Sequence, residues 1–348
     1  MSGGPVTWPS KADLVKVVDR LAGVRVALWG DMVLDEFLMG EVKRISREAP
    51  VLILDHLRSD YVPGGAANTA ANIASLGATV SPVGVVGDDE AGRQLLSLLG
   101  ARDIDVSGIE PVTGLITPIK TRVSGSGLHT TQQQIVRIDR GRPFALDATA
   151  RRDLADRVGS RLESADALTV ADYGYHSVEP DVVRRLAASL RADGRVSTVD
   201  SRWRLLEFRG ASAVSPNEPE VEAMLGISLR HADVQTLGRA GADLLARLEC
   251  DSVLMTRGSE GMAVYTREAK TPRLIPVYGT DEVADVTGAG DTVMAVYAVS
   301  LAAGASPLEA ALLANYAGGL VVMKQGTATV SPRELRNALA SHPDEAPA

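Results

Sequence analysis

Residues 147–199 read DATARRDLADRVGSRLESADALTVADYGYHSVEPDVVRRLAASLRADGRVSTV. Helix-length amphipathic stretches at 147–163 and 178–193 alternate here with short apolar runs at 167–171 and 195–199. Apolar residues three and four apart mark the helices, and brief Val-, Ala- and Leu-rich runs mark the strands. Strands separated by crossover helices lie parallel and need cover on both faces. The same alternation extends outward. Strands are predicted at 24–29, 79–86, 212–215 and 252–256, and helices at 66–76, 88–99, 217–226, 231–249, 289–303, 307–324 and 331–340. Ser331-Pro332-Arg333-Glu334 reads as a capping box with Pro at the first helical position. Three stretches break the rhythm: 51–57, 115–124 and 134–139 have no crossover helices between them. They are predicted to pair antiparallel as a small separate sheet, with a turn at Ser124-Gly125-Ser126-Gly127. The expected fold class is α/β, a three-layer sandwich around a mainly parallel sheet. One domain is expected over 1–348, carrying a small β-sheet lid from about 38–62 and 112–140. The tail 342–348 is expected to fray.

Composition excludes several classes. The chain has 348 residues, so it can bury a large core without staples. Its single Cys250 excludes an intramolecular disulfide framework and any multi-cysteine zinc site. The five histidines, at 56, 129, 176, 231 and 342, show no metal-ligand spacing. A net charge of −8 and 4% aromatic residues argue against nucleic acid as a partner. No apolar run reaches the ~18 residues of a bilayer span. The first residues lack a basic segment followed by an apolar one. The expectation is a soluble cytoplasmic protein without a membrane partner.

Four segments can carry chemistry. The first is Asp285-Val286-Thr287-Gly288-Ala289-Gly290-Asp291-Thr292, followed by a helix. Its glycines permit a tight turn, and the unpaired first N–H groups of the helix favour an anion such as phosphate. A carboxylate there repels that anion, so Asp291 reads as the group that orients and deprotonates an attacking hydroxyl. Alone, the segment reads equally as a helix N-cap. The chain has no Gly-Lys pair, so this is not the P-loop. The second is Pro63-Gly64-Gly65-Ala66-Ala67-Asn68, a ligand-approach turn with a polyol partner in Asn68, or a plain helix start. The third is Gly30-Asp31-Met32-Val33-Leu34-Asp35, two aspartates at the carboxyl edge of a parallel sheet, where such folds bind ligands. Two exposed loop acids are the alternative. The fourth is Ser215-Pro216-Asn217-Glu218-Pro219-Glu220, which by composition is a helix start.

Together and in this order, the segments resemble the ribokinase-like (PfkB) carbohydrate kinases over about residues 24–340. Gly64-Gly65 with Asn68 resembles the family's N-terminal signature. Asp285 to Asp291 resembles its D-x-T-G-A-G-D signature, and Asn217 to Glu220 its N-x-x-E motif. Within the family the chain is most similar to the D-glycero-β-D-manno-heptose 7-phosphate 1-kinase group. That likeness rests on Arg44-Ile45-Ser46, Glu48 to Val51, Pro63 to Ala78, Gln133, Arg137 to Asp139, Asp172-Tyr173, Gly326-Thr327 and Thr329 to Pro332. No H-x-G-H motif occurs, so a kinase-only protein is expected. Two departures concern lysines: Asp200-Ser201-Arg202 stands for Asp-Pro-Lys, and Asp172-Tyr173-Gly174-Tyr175-His176 for Asp-Tyr-Ala-Lys-Gly. Arginine can still clamp a phosphate bidentately.

The resemblance implies an ATP-dependent kinase with Mg2+ that acts on a sugar phosphate and dimerises through its lid. Asp31, Asp35, Gly64, Gly65 and Asn68 would contact the sugar, and Asp172 would hold one of its hydroxyls. Lys120, Arg122, Arg137 and Arg202 would take its phosphate. Asp291 would be the base, with the N–H groups of Gly288, Ala289 and Gly290 stabilising the transferring phosphoryl group. Asn217 and Glu220 would meet Mg2+ through water. Thr256, Arg257, Gly258, Gly261 and Asn315 would surround the ATP ring. Asp285, Thr287 and Ser331 would flank a monovalent cation such as K+. The competing readings are a related kinase for another sugar, sugar phosphate or nucleoside, and a catalytically silent sensor. A Rossmann dehydrogenase is disfavoured, since no Gly-x-Gly-x-x-Gly turn follows the first strand.

Overall fold

The structure, a computed structural model, describes residues 8–126, 133–269, 271–279, 284–324 and 326–341. In chain order the first half contains α1 (Lys11–Arg20), β1 (Arg25–Gly30), β2 (Met32–Ile45), β3 (Leu52–Gly65), α2 (Ala66–Ser75), β4 (Thr79–Gly87), α3 (Glu90–Gly100), β5 (Ile109–Val112), β6 (Ile119–Ser126) and β7 (Gln133–Arg140). The second half contains α4 (Ala148–Leu162), β8 (Ala167–Asp172), α5 (Pro180–Ala192), β9 (Val196–Ser201), β10 (Ala213–Val214), α6 (Glu218–Leu225), α7 (Val234–Leu248), β11 (Ser252–Thr256), β12 (Met262–Thr266), β13 (Arg273–Ile275), α8 (Ala289–Ala302), α9 (Pro307–Val322) and α10 (Pro332–Ser341).

A nine-stranded sheet runs in the order β13-β12-β11-β10-β9-β8-β1-β4-β5. It is parallel from β11 to β5, and β12 and β13 close one edge antiparallel. Successive strand side chains point to opposite faces, so β1 feeds two cores. Val26 and Leu28 pack with α1, α2, α8 and α9, while Ala27 and Trp29 pack with α4, α5 and α7. This is the expected three-layer α/β sandwich. No helix among the described residues is long and apolar enough to cross a membrane.

The second sheet runs β3-β2-β6-β7. It differs from the sequence expectation in three ways. Strands β3 and β7 are longer than the runs predicted and β6 is shorter, and β2 starts at Met32, where a loop was expected. Its central pair, β2 with β6, is parallel and not antiparallel. Residues Ser124 to Ser126 continue β6 rather than turning, while Gly127 lies outside the described residues, as does the tail 342–348. Charge hid β2. Asp35 was expected beyond a strand end, as a sugar contact or a loop acid, and Glu36 beside it is charged too, yet both are buried, because Arg122 faces Asp35 and Arg140, Thr121 and Tyr61 bond Glu36. The chain thus passes from the main sheet to the second one through a single residue, Asp31.

Candidate active site

A cavity of about 530 Å3 opens where the inner face of the second sheet meets the carboxyl ends of β8, β9 and β11 and the start of α8. Four cationic side chains line it, Lys120, Arg122, Arg137 and Arg202, together with six acids, Asp35, Asp139, Asp172, Asp200, Glu220 and Asp291.

Asp291 lies in the first turn of α8, and Gly288 is the N-cap at φ +75°. A β-carbon on Gly288 would come 2.6 Å from Asn68 Nδ2, so the left-handed turn and the close approach both call for glycine. The Asp291 carboxylate is buried and held at both oxygens. Asn68 Nδ2 donates to Oδ2 at 2.7 Å, and the Tyr173 hydroxyl and, at 3.4 Å, the Thr69 hydroxyl donate to Oδ1. Burial raises its pKa and the negative Asp35 adds to this, while the bonds from Tyr173 and Asn68 and the charge of Lys120 pull it down. Gly290 has open space where a side chain would be.

The opposite wall follows from strand alternation. Lys120 and Arg122 are two apart on β6 and share its inner face. Asp35 pairs with Lys120 across the parallel ladder, and Arg137 and Asp139 pair with Arg122 and Lys120 from β7. Arg122 Nη1 lies 3.2 Å from Asp35 Oδ2, close enough for an ion pair but too poorly aligned to hydrogen-bond. Arg122 Nη1 and Asp35 Oδ1 are therefore buried polar atoms without hydrogen-bond partners, an arrangement costly unless a ligand supplies them. Burial lowers the pKa of Lys120, whose Nζ lies 4.6 Å from the centre of the Tyr173 ring. Arg137 is already held by Asp139 at 2.8 and 3.0 Å. The guanidinium of Arg202 rests 5.7 Å from the Trp203 ring centre and makes no ion pair among the described residues, while its charge pulls down the pKa values of Asp200 and Glu220.

Several residues expected at the ligand are placed otherwise. Asp31 is sealed in: Oδ2 accepts from the N–H groups of Tyr173 and Tyr175, and Oδ1 from the N–H and hydroxyl of Ser177. It does not line the cavity and holds the 173–177 loop instead. Asn68 is turned toward Asp291 rather than the cavity, and Gly64 packs under Asp35, leaving Gly65 of that pair at the wall. Asp172 reaches the wall, but its oxygens are taken by Arg204 and Ser201, both at 2.6 Å. Asn217 and Glu220 form a capping box and still line the cavity. Thr256 lines it too, whereas the Arg257 guanidinium is buried between Glu218 and Glu260. Gly258 and Gly261 shape the turn before β12, with Gly261 tight against the Ile275 carbonyl, and the Asn315 amide is held by the Pro276 carbonyl at 2.9 Å. Asp285 binds the N–H groups of Thr287 and Gly326. The Ser331 N–H and hydroxyl are committed to the Glu334 carboxylate in a helix cap, so no described contact joins Ser331 to Asp285. Among the described residues no group of three or more His, Cys, Asp or Glu side chains is arranged to hold a metal.

The sequence reading missed Asp200, Tyr175 and Trp203 on the wall, and Tyr173 and Arg204 beside the two aspartates. Burial raises the pKa of Asp200 strongly, and the nearby Glu220 and Asp291 add to it. Tyr173 and Tyr175 stand one and three residues after Asp172, and Trp203 and Arg204 one and two after Arg202, both already singled out, and this proximity was the available signal.

A covered parallel sheet, a second sheet facing its carboxyl edge, and a buried Asp at a glycine-lined helix start define an α/β phosphotransferase. The chain belongs to the pfkB family of carbohydrate kinases, whose family profile matches residues 32–334. It is thus a carbohydrate kinase by family. It is similar to the bifunctional protein HldE of Pelobacter propionicus, at 37% identity over 96% of this chain and 67% of that protein. The HldE of Geobacter sulfurreducens is 39% identical over 89% of this chain and 62% of its own length. The chain thus spans about two thirds of the length of these relatives. Phosphofructokinase-2 from Escherichia coli, solved with substrates and products, superposes with a TM-score of 0.72 at 21% identity, over 91% of this chain and 98% of that one. Ribokinase from Arabidopsis thaliana, solved with ribose and ATP, gives 0.69 at 20% identity over 91% and 98%. Both share the fold.

Proposed function

We propose that the chain transfers the γ-phosphoryl group of ATP to the anomeric O1 of D-glycero-β-D-manno-heptose 7-phosphate, giving the 1,7-bisphosphate and ADP. The observation that supports this best is the pairing, in one cavity, of a buried carboxylate at a helix N-terminus with four cations, one of them an arginine with an unpartnered nitrogen. In the reaction the O1–Pγ bond forms as the bond from Pγ to the β-phosphate oxygen breaks, and the O1 proton passes to Asp291. Carboxylates are weak bases for alcohols, so Asp291 contributes mainly by orienting O1 for in-line attack. The N–H groups of Gly288 and Gly290, at the positive end of α8, face the charge that develops on the transferring group, whereas that of Ala289 donates to the Val286 carbonyl at 3.3 Å. Arg122 and Arg202, with Lys120 and Arg137, take the 7-phosphate. Asp35 accepts from a sugar hydroxyl through its unpartnered Oδ1.

The donor set suits a Mg2+ brought in by the nucleotide, because Asn217 and Glu220 are polar groups at the wall and no protein cage is present among the described residues. Asn217 and Glu220 would hold it through water, and its charge would offset that of the phosphates. ATP extends past Thr256 toward Gly258. A monovalent cation belongs beside Asp285 and Thr287, without Ser331. The chain pairs with a second copy through the outer face of the lid, which exposes Leu57, Val136 and Ile138.

The test is ADP release with Mg-ATP on heptose 7-phosphate, sedoheptulose 7-phosphate, fructose 6-phosphate, ribose, fructose and adenosine, with the product read by 31P NMR. Turnover confined to heptose 7-phosphate, with new signal at C1, is the expected result. The replaced lysines at Arg202 and Tyr175 favour a second reading, a different phosphorylated sugar. Turnover of fructose 6-phosphate or sedoheptulose 7-phosphate with the heptose inert would establish that reading instead.

A further inference from the structure

Asp291 lies in a ring of groups drawn from four elements. Asn68 and Thr69 come from α2, Tyr173 from the loop after β8, Lys120 from β6, and Asp200 from β9. Asp35 on β2 adds its negative charge. Two of these side chains are fixed firmly on Asp291. Asn68 donates to Oδ2, and the Tyr173 hydroxyl donates to Oδ1, where the Thr69 hydroxyl adds a longer bond at 3.4 Å. Tyr173 is itself held from three sides. Its N–H donates to Asp31 Oδ2 at 2.8 Å, its ring lies under the Lys120 ammonium, and its hydroxyl points inward. A chain of contacts therefore runs from Asp31 through the backbone of Tyr173 to the carboxylate of Asp291. Nothing in the sequence context called for this, since Tyr173 stood there only as part of a motif with Asp172.

We infer that Tyr173 is a positioning residue for the base: its hydroxyl, donating to Oδ1, fixes the rotamer of Asp291 and leaves the second position of Oδ2, where Asn68 alone donates, for the acceptor alcohol. Asp31 acts one step further out, by clamping the loop that carries Tyr173. The inference rests on the reading of Asp291 as base. The chemistry follows from hydrogen-bond asymmetry. A phenol can only donate to a carboxylate, and burial beside Asp291 keeps this phenol protonated. A donor that faces a carboxylate favours the charged form, which opposes the burial and the Asp35 charge that disfavour it. Lys120 contributes in the same sense as Tyr173, and Asp200 in the opposite one.

The experiment is the pH profile of kcat/KM for the phosphorylated sugar on Tyr173→Phe, beside wild type and a chain with 3-fluorotyrosine at 173. Phe keeps the ring beneath Lys120 and removes only the donor. Its acid limb should move up by about 1 to 2 pH units, the scale of one hydrogen bond to a charged group. The fluorinated phenol is a stronger donor and should move the limb down. A residue that only fills space would move it in neither variant, and that result overturns the inference even if Tyr173→Phe is slower or melts earlier. Failure of the underlying reading looks different: Asp291→Asn would then keep its turnover, whatever Tyr173→Phe does.

Discussion

The cavity has two walls that treat charge in opposite ways. On the main-sheet side three acids are held by several donors each. Asp31 accepts four hydrogen bonds, Asp172 is held by Arg204 and Ser201, and Asp291 by Asn68, Thr69 and Tyr173. On the lid side valences stay open, at Asp35 Oδ1 and Arg122 Nη1, and Arg202, just past the end of β9 on the main-sheet side, makes no ion pair among the described residues. Groups held by several donors fix geometry, and open ones are available to a ligand. A transferase needs both, because the base must not move and the substrate must be gripped by groups that gain on binding.

Substitutions on the two walls should therefore fail differently. The largest effect is expected for Asp172→Ala, which leaves Arg204 without its buried partner. Loss of one member of such a pair costs about 3 kcal/mol or more, visible in denaturant unfolding. Unchanged stability would show that the wall is not held this way. Next is Arg202→Ala, which should raise the KM for the sugar phosphate roughly tenfold or more with little change in kcat, the scale of a charge-assisted hydrogen bond. Arg137→Ala should raise it less, since Asp139 already occupies that guanidinium. Equal effects would erase the distinction between paired and unpaired cations. The smallest change in kcat belongs to Ile138→Lys on the outer lid face, which should shift the protein to monomer in light scattering.

The same contrast explains what was legible in the sequence. The glycine turn at 288–290 and Asp291 are contiguous, so their chemistry shows in a short window. The alternation of helices with Val- and Ala-rich strands betrays the parallel sheet. Asp31 did not reveal its task, because its partners are more than 140 positions away in the chain. The strand β2 stayed hidden because its buried acids depend on Arg122 and Arg140 from other strands. Strands β5, β12 and β13 were missed for brevity or for lying at edges, and α1 for its polar face. Tyr173 was quoted only as part of a motif, since nothing local marks a tyrosine that donates to an aspartate 118 residues later.

Asp291→Asn separates the two walls most directly. Burial raises the pKa of this carboxylate, so its ionisation costs stability as pH rises through that raised value. The amide removes that cost, and the variant should fold at pH 8 as well as wild type. Binding of the sugar phosphate by calorimetry and ADP release by coupled assay are then compared. The account predicts affinity close to wild type, because the lid cations are intact, and turnover lower by ~100-fold or more, the usual scale for an acid–base group. Turnover near wild type, or binding lost together with turnover, would contradict it.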